Sequence, residues 1–295
     1  MLKVLVSFWL SILAFFMGLR GPAMQPGPLP DGGLRVQYDS GACDFMDIYF
    51  PEDVPAQADV AFLIHGGAWL TGDQTQFTQY AKQAASLGYI GVTVGYSDLR
   101  YHKTAPQMED ALFKAIGVLD ATLRERGVTT HKLALIGHSA GAQLALLLAY
   151  DHSDDSPIPI GFVTACCAPA DIMLLDGAED TTIEKNRHLL GTSLSGENMS
   201  TLSERKRSDT YVAAEYAISP YLHITPAVPP TLLIHSDSDT MVPYQNSVQL
   251  YEKLQENGVD TEFLTLPGDH FFRPQTDEML QTRLNTILRW AETYL

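Results

Sequence analysis

Short apolar segments alternate along the chain with longer segments in which apolar residues recur at helical spacing. Eight of the short segments have the length and the β-branched and aromatic content of strands. They are Arg35–Tyr38, Phe45–Phe50, Val60–Ile64, Ile90–Val94, Lys132–Ile136, Ile160–Ala165, Thr231–His235 and Thr261–Thr265. Strands that alternate with helices predict right-handed crossovers and an α/β fold, with a mainly parallel eight-stranded sheet flanked by helices.

The longest helical segment carries an apolar stripe that ends before Gly127, where a C-terminal cap belongs. Its members are Met108, Leu112, Ala115, Leu119 and Leu123. Similar stripes predict helices within 77–87, 248–254 and 280–291. Apolar residues at this spacing normally face a core, so we give the stripes no function. Residues 172–218 break the alternation, and we interpret them as a small lid or cap insertion over the sheet.

The first 23 residues have the features of an export signal. Lys3 precedes the uncharged, mainly apolar residues 4–19, and Arg20 and a Gly-Pro-Ala stretch follow them. This pattern predicts a signal peptide over 1–23, with cleavage before Met24, and hence an exported, secreted protein. The alternative is that residues 4–19 stay attached and anchor the protein in a membrane.

Length and composition favour a single globular domain. The chain has 295 residues, of which 45% are hydrophobic, enough to bury a large core. We expect the Pro- and Gly-rich residues 24–33 to form a linker and residues 34–295 to form one domain. The 19 Lys and Arg against 35 Asp and Glu give a net charge of −16. This charge disfavours nucleic acids, anionic membrane surfaces and polyanionic substrates as partners.

The three cysteines support neither a disulfide framework nor a zinc site. Cys43, Cys166 and Cys167 allow one internal bridge at most, and they match no zinc-ligand spacing. We interpret them as mainly core thiols. Pairing of Cys43 with Cys166 or Cys167 stays open at this point.

A strand that runs directly into a glycine-flanked serine and then a helix is typical of a nucleophile elbow. The predicted strand 132–136 is followed by G-H-S-A-G at 137–141 and by the helical residues 142–150. The glycines let backbones pass closely while the hydroxyl projects from a sharp turn. Ser139 is therefore the candidate nucleophile. The helix that follows points unpaired N–H groups at the same place, and Ala140 is one candidate donor to an oxyanion.

A second set of oxyanion donors is expected after the predicted strand 60–64, where residues 65–69 read H-G-G-A-W. Small residues are needed there so that a substrate carbonyl can approach bare backbone. Gly66, Gly67 and Ala68 are the candidates, and we favour the N–H groups of the last two. Trp69 is a candidate substrate contact, and its alternative role is to pack beneath the turn.

A serine hydroxyl needs an imidazole to take its proton and a carboxylate to orient that imidazole. His270 is the candidate base because, among nine histidines, it alone follows a late strand through a Pro-Gly turn. Asp237 and Asp239 both follow the strand 231–235, and we prefer Asp239, with the other acid capping the turn.

Three further histidines receive structural interpretations. His65 and His138 lie inside the two glycine-containing motifs, so we expect them to hold loops. His235 closes a predicted strand and is interpreted as a packed or hydrogen-bonded residue at the strand end.

Four segments together resemble α/β-hydrolase esterases. They are HGGAW at 65–69, GHSAGAQL at 137–144, PPTLLIHSDSDTMVP at 229–243 and PGDHFF at 267–272. The likeness is closest to the group of bifunctional acetylxylan and feruloyl esterases and kynurenine formamidase-like enzymes. It implies Ser139 as nucleophile, Asp239 as acid and His270 as base. Ala68 and His138 depart from the hormone-sensitive-lipase pattern, which usually has Gly and Asp at these places, and so disfavour that branch.

These observations predict a serine carboxylic ester hydrolase that works through an acyl-enzyme and needs no cofactor or metal. The expected substrates are small-molecule or oligosaccharide esters, with short-chain acyl or carbohydrate-linked acetyl or feruloyl groups. Alternatives are an arylformamidase-type amide hydrolase and a non-catalytic binding protein on the same fold. Tyr211 and Tyr216 are candidate substrate contacts from the insertion, and packing within the lid is their alternative role.

Overall fold

The computed structural model describes residues 32–172, 192–196 and 209–295, without the side chains of 209–212. The predicted signal peptide or anchor and the predicted linker up to residue 31 therefore lie outside the described residues. So do much of the predicted insertion and the side chain of Tyr211. Within the described ranges, no helix has both the length and the apolar character needed to cross a bilayer.

Eight strands form one sheet in the order β1-β2-β4-β3-β5-β6-β7-β8. They are β1 (Gly33–Gln37), β2 (Phe45–Tyr49), β3 (Gln57–Ile64), β4 (Ile90–Val94), β5 (Thr129–His138), β6 (Ile160–Cys166), β7 (Thr231–Ser236) and β8 (Thr261–Leu266). Strand β2 runs antiparallel to both β1 and β4, and all other neighbours are parallel. The predicted mainly parallel sheet is confirmed, and each predicted strand is present with ends that differ by at most three residues.

Six α-helices are labelled in the described part of the chain. They are α1 (Thr78–Ser86), α2 (Ala105–Glu125), α3 (Ala140–His152), α4 (Asp209–Tyr216), α5 (Gln245–Glu256) and α6 (Asp277–Tyr294). Short 3-10 helices span Gln74–Phe77, Leu99–Tyr101 and Pro220–His223. Gly127 follows α2 with φ of 77°, so the predicted cap is confirmed.

The two faces of the sheet are covered differently. On one face, α2, α3 and α5 pack into a continuous core that contains Leu112, Leu144 and Leu250. Helix α3 is buried along its whole length from Ala140 to Tyr150, as expected for a helix that is apolar on every side. The other face carries two separate apolar clusters, one around α6 and one around α1.

Two domain boundaries can be compared with their predictions. Gly33, predicted as the last linker residue, belongs to β1 because it pairs with Tyr49 in the antiparallel ladder. The described ends of the predicted insertion meet at the body of the domain, where the Ile172 N–H donates to Ser219 Oγ at 3.3 Å. The lid role of residues 172–218 stays a prediction.

All three cysteines are buried and free. The interpretation as core thiols is therefore confirmed, and Cys43 forms a bridge with neither Cys166 nor Cys167.

Helix α3 crosses β3 at a distance that leaves no room for a side chain. A Cβ placed on Gly141 would lie 2.3 Å from the carbonyl oxygens of both Ile64 and His65. Gly117, in the middle of α2, is in the opposite situation, because the nearest atom to its Cβ would be Pro157 Cγ at 3.8 Å. Replacing each glycine by alanine therefore distinguishes two effects: the close packing at Gly141, and the general preference of helices for alanine, which alone acts at Gly117.

We expect Gly141→Ala to lower the free energy of unfolding by about 1–3 kcal/mol or more, because backbone atoms must move to admit the methyl group. The matched change Gly117→Ala should raise it by roughly 0.5–1 kcal/mol, since alanine loses less backbone entropy in a helix. Urea unfolding of both variants measures the difference. Equal effects of the two changes would contradict this account of the contact between α3 and β3.

Candidate active site

Ser139 lies between β5 and α3 in a strained backbone conformation, with φ of 57° and ψ of −126°. Such a conformation costs roughly 1–3 kcal/mol and needs support from its surroundings. The neighbouring glycines provide it, because a Cβ on Gly137 would lie 2.3 Å from the Gly141 carbonyl oxygen. The Ser139 N–H also donates to the Cys166 carbonyl at 2.8 Å. The predicted strand, turn and helix around the serine are therefore present.

The loop after β3 runs directly against this turn. A Cβ on Gly66 would lie 3.0 Å from Ser139 Cβ and 2.7 Å from the His138 carbonyl oxygen. Gly67 and Ala68 follow with φ of 126° and 55°. Among the described residues, no acceptor bonds to the N–H of either one. Among the described residues these two N–H groups are thus unbonded, and they directly follow Gly66, which contacts the serine turn.

Ala140 is a third candidate donor and directly follows Ser139 in the chain. It is the first residue of α3, so its N–H is one of those that an α-helix leaves without an internal partner. The positive end of the helix dipole lies at the same place. The structure therefore brings the predicted oxyanion donors of both motifs close to one serine.

The candidate base and acid are hydrogen-bonded to each other. His270 Nδ1 donates to Asp239 Oδ2 at 2.6 Å, and both side chains are almost fully buried. Because a carboxylate only accepts, the His270 proton lies on Nδ1, and Nε2 is left as the basic nitrogen. Asp237 is exposed and accepts from Ser238 Oγ at 2.9 Å, so it takes no part in this pair.

The Asp239 carboxylate accepts three hydrogen bonds and lies close to a fourth group, His235 Nε2, which also bonds to the Val242 carbonyl at 3.2 Å. Its Oδ1 accepts from the N–H groups of Met241 and Val242 at 2.8 and 2.9 Å. Its Oδ2 lies 3.2 Å from His235 Nε2 as well as 2.6 Å from His270 Nδ1. Burial alone would raise the pKa of this carboxyl, but the bonds from the two histidines outweigh burial and hold the pKa well below its usual range.

His235 was not assigned a place in the site by sequence reasoning. The predicted strand-end role is confirmed, since the residue is fully buried at the end of β7 and its Nδ1 bonds to Ser247 Oγ at 2.6 Å. Its contact with Asp239, four residues later, was missed. A histidine at the end of an otherwise apolar strand, one helical turn before the acid, is the signal that could have identified it.

The other two motif histidines hold loops, as predicted. His138 Nε2 donates to the His270 carbonyl at 3.0 Å, which links the residue before Ser139 to the loop of the base. Burial, together with the neighbouring His270, lowers the pKa of His138 to about 4. His65 is buried, stacks on Tyr96 with ring centroids 4.5 Å apart and bonds to the Gly66 carbonyl.

The candidate substrate contacts differ in their surroundings. Trp69 is only 4% exposed, and its Nε1 donates to Gln143 Oε1 of α3 at 3.1 Å. The Gln143 amide in turn donates to the Ile218 carbonyl at 2.8 Å, a link that sequence reasoning missed. Tyr216 is 47% exposed and stacks on His223. A role of Trp69, Tyr211 or Tyr216 in substrate binding stays a prediction.

Potential metal ligands also converge here, because Cys167 lies close to His138 and His270 and also to His235 and Asp239. Burial raises the pKa of the Cys167 thiol, which disfavours the thiolate that a metal requires. His270 and Asp239 already bond to each other. The donor set thus matches a proton-transfer pair better than a metal centre.

The BD-FAE family profile matches residues 46–254, which include Ser139 and Asp239. The chain belongs to the BD-FAE family. Within the match lie the first oxyanion loop, the serine turn and the acid, whereas His270 follows it.

Relatives of this BD-FAE protein include esterases. It is 27% identical over 250 residues to the probable carboxylic ester hydrolase LipM of Mycobacterium tuberculosis, a match that covers 80% of this chain and 56% of LipM. The chain thus spans little more than half of that relative's length. Esterase B from Lactobacillus rhamnosis superposes with a TM-score of 0.72 at 20% identity, covering 98% of this chain and 95% of that one.

A truncated carbohydrate esterase from gut microbiota also superposes with a TM-score of 0.72, at 15% identity, covering 91% of this chain and all of that one (100%). These structural matches establish the α/β-hydrolase fold for the BD-FAE protein.

The neutral, buried His138 should make folding pH-dependent. Unfolded histidine binds a proton below about pH 6.5, whereas folded His138 stays neutral down to about pH 4. The unfolded state binds more protons in that window, so stability should fall as the pH drops through it. Urea unfolding at pH 7.5 and pH 5 measures this loss, and His138→Gln should reduce it.

The exposed His131 offers a matched control, because its side chain is 45% exposed and pairs with Asp59 at the surface. His131→Gln should not reduce the loss of stability on acidification. If His138→Gln and the parent protein lose the same free energy of unfolding between the two pH values, protonation of His138 does not oppose folding.

Proposed function

We propose that this protein is a serine carboxylic ester hydrolase with Ser139 as nucleophile, His270 as general base and Asp239 as the acid that orients it. The observation that carries the proposal is the 2.6 Å bond from His270 Nδ1 to the buried Asp239 carboxylate. This bond leaves His270 Nε2 free to accept a proton. His138, the neighbour of Ser139, donates to the His270 carbonyl and so connects the serine turn to the loop of the base.

In the proposed reaction, Ser139 Oγ attacks the ester carbonyl carbon while its proton passes to His270 Nε2. The electron pair of the carbonyl moves onto the oxygen, and the N–H groups of Ala140, Gly67 and Ala68 bind the resulting oxyanion. The tetrahedral intermediate then expels the alcohol, which takes the proton from His270. Water, deprotonated by the same nitrogen, attacks the acyl-enzyme carbonyl. The second tetrahedral intermediate expels Ser139 Oγ, which takes the proton back from His270, and the carboxylic acid leaves.

Asp239 stabilises the imidazolium that forms in each half of the cycle. Its own ionised state is secured by two amide N–H groups and by His235, so it does not need to take the proton. His235 acts as a positioning residue, because its other ring nitrogen is held by Ser247. The carboxylate is thereby oriented before substrate binds.

Ester substrates are favoured by the names of the relatives. LipM is named a carboxylic ester hydrolase, and the two structural neighbours are named a carbohydrate esterase and an esterase. On this basis we propose short-chain acyl or carbohydrate-linked esters as the substrate class. The net charge of −16 fits a neutral substrate of this kind.

Substitutions of Ser139, Asp239 and Asp237 should show which of the two aspartates serves the reaction. Ser139→Ala should lower kcat by on the order of 10⁴ to 10⁶, and Asp239→Asn by about 10⁴, because the nucleophile or the orientation of the base is lost. Asp237→Asn is the matched control and should leave kcat near its starting value, since that side chain is exposed. Hydrolysis of p-nitrophenyl acetate measures all three.

A larger loss in Asp237→Asn than in Asp239→Asn would overturn the assignment of the acid. Labelling by a fluorophosphonate probe tests the nucleophile independently of any substrate. Folded protein should be labelled at Ser139, and absence of labelling there would favour a non-catalytic binding protein.

The substrate class can be tested with a panel of esters. Turnover should be highest for short p-nitrophenyl esters or methyl ferulate and should fall as the acyl chain lengthens. A flat profile would count against a feruloyl or short-chain preference. Efficient hydrolysis of N-formylkynurenine in the same panel would instead support amide chemistry.

A further inference from the structure

The second face of the sheet contains a groove between two helices. Helix α1 packs mainly on β2, β3 and β4, and α6 packs mainly on β6 and β7, so the strip over β5 lies between the two helices. A pocket of about 270 Å³ lies there, with Leu63, Ile136 and Phe162 from three neighbouring strands in its lining. Its volume is close to the lower limit of roughly 300 Å³ for small-molecule sites.

The groove divides the apolar core on this face. Ala81 belongs to the cluster around α1, and Trp290 belongs to the cluster around α6. Leu87 and Phe271, which are 49% and 48% exposed, also line the groove. Half-exposed apolar side chains at the rim of an apolar groove fit the binding of an apolar ligand.

Arg283 is the one charged side chain among the described residues that line the groove. Its Nη2 donates to the Tyr80 hydroxyl at 3.2 Å, and its guanidinium lies over the Phe272 ring, 4.8 Å from the centroid. No carboxylate in the described ranges lies within ion-pair distance of it. Within the described residues, this arginine is therefore held by a hydroxyl and an aromatic ring and has no carboxylate as a partner.

We infer that the groove between α1 and α6 binds an aliphatic carboxylate, with the head group on Arg283 and the chain along the apolar walls. A guanidinium with donors to spare is suited to a carboxylate, and the Tyr80 hydroxyl beside it adds a polar contact. A singly charged head matches the single cation.

The dimensions fit an unbranched chain of medium length. Helix α6 lines the groove from Arg283 to Ala291, and eight residues at the helical rise correspond to about 12 Å. Leu284, Ile287 and Leu288 lie on this wall, and Ala84 faces them from α1. Arg283 supplies the one charged side chain of the described lining, Tyr80, Gln83, Tyr89, His138 and Gln275 add polar groups, and the walls are otherwise mainly apolar.

Calorimetric titration of the full chain with decanoate at pH 8, where a carboxylic acid is ionised, tests this inference. One equivalent should bind, and decanol should bind at least about tenfold more weakly because it lacks the charge. Arg283→Met should weaken decanoate binding by a similar factor. Ala84→Trp should abolish it, because the indole fills the groove.

Two matched controls keep the result specific. Arg289→Met removes an exposed arginine of the same helix that pairs with Glu262, and Gln79→Trp adds an indole to an exposed position of α1 outside the groove. Both should bind decanoate like the parent protein. Covalent blocking of Ser139 should also leave binding unchanged, which separates this site from the catalytic one.

Three results would overturn the inference. One is a failure of decanoate to bind, for example because residues 1–31 or a second copy of the chain cover the groove. Another is unchanged affinity in both Arg283→Met and Ala84→Trp. The last is loss of decanoate binding when Ser139 is blocked, which would place the ligand in the catalytic site.

Discussion

The bare-backbone contact between α3 and the end of β3 is the constraint on which the site depends. Because Gly141 has no side chain, the helix lies against the carbonyls of Ile64 and His65. The same contact brings Gly66 next to Ser139, so the packing of α3 on β3 positions both the Ser139 hydroxyl and the candidate oxyanion loop. The strained conformation of Ser139 is sustained by this packing, since an isolated turn would relax to a less costly geometry.

A second requirement is electrostatic. A buried carboxylate is costly unless its oxygens are paired, and Asp239 meets this condition with two backbone amides and two histidines. The two amides and His235 belong to β7 and the turn after it, and His270 belongs to the loop after β8, so two separate elements hold the carboxylate. Asp269 shapes that loop by accepting from the N–H groups of Phe271 and Arg273. The base is thus held from both sides.

The strands and the serine turn were predictable because their signals are local. Apolar alternation marks a strand wherever it is buried, and the glycines at 137 and 141 are required by a turn within five residues. The contacts of His235 with Ser247 and of Gln143 with Ile218 could not be predicted in this way, because Ser247 lies on the following helix and Ile218 lies 75 residues from Gln143. The groove could not be predicted from the sequence for the same reason, because it depends on the distance between α1 and α6 in the folded protein.

The overall charge of −16 and an anionic ligand at Arg283 are compatible. At physiological ionic strength the field of a surface charge decays over about 8 Å, so distant acids contribute little at the groove while the guanidinium acts directly. A polyanion would span many of those acids and be repelled, whereas a single carboxylate meets only its local environment. The same reasoning applies to the proposed active site, where the candidate oxyanion donors are neutral N–H groups. In the proposed mechanism they stabilise negative charge only where it develops, at the carbonyl oxygen of a bound substrate.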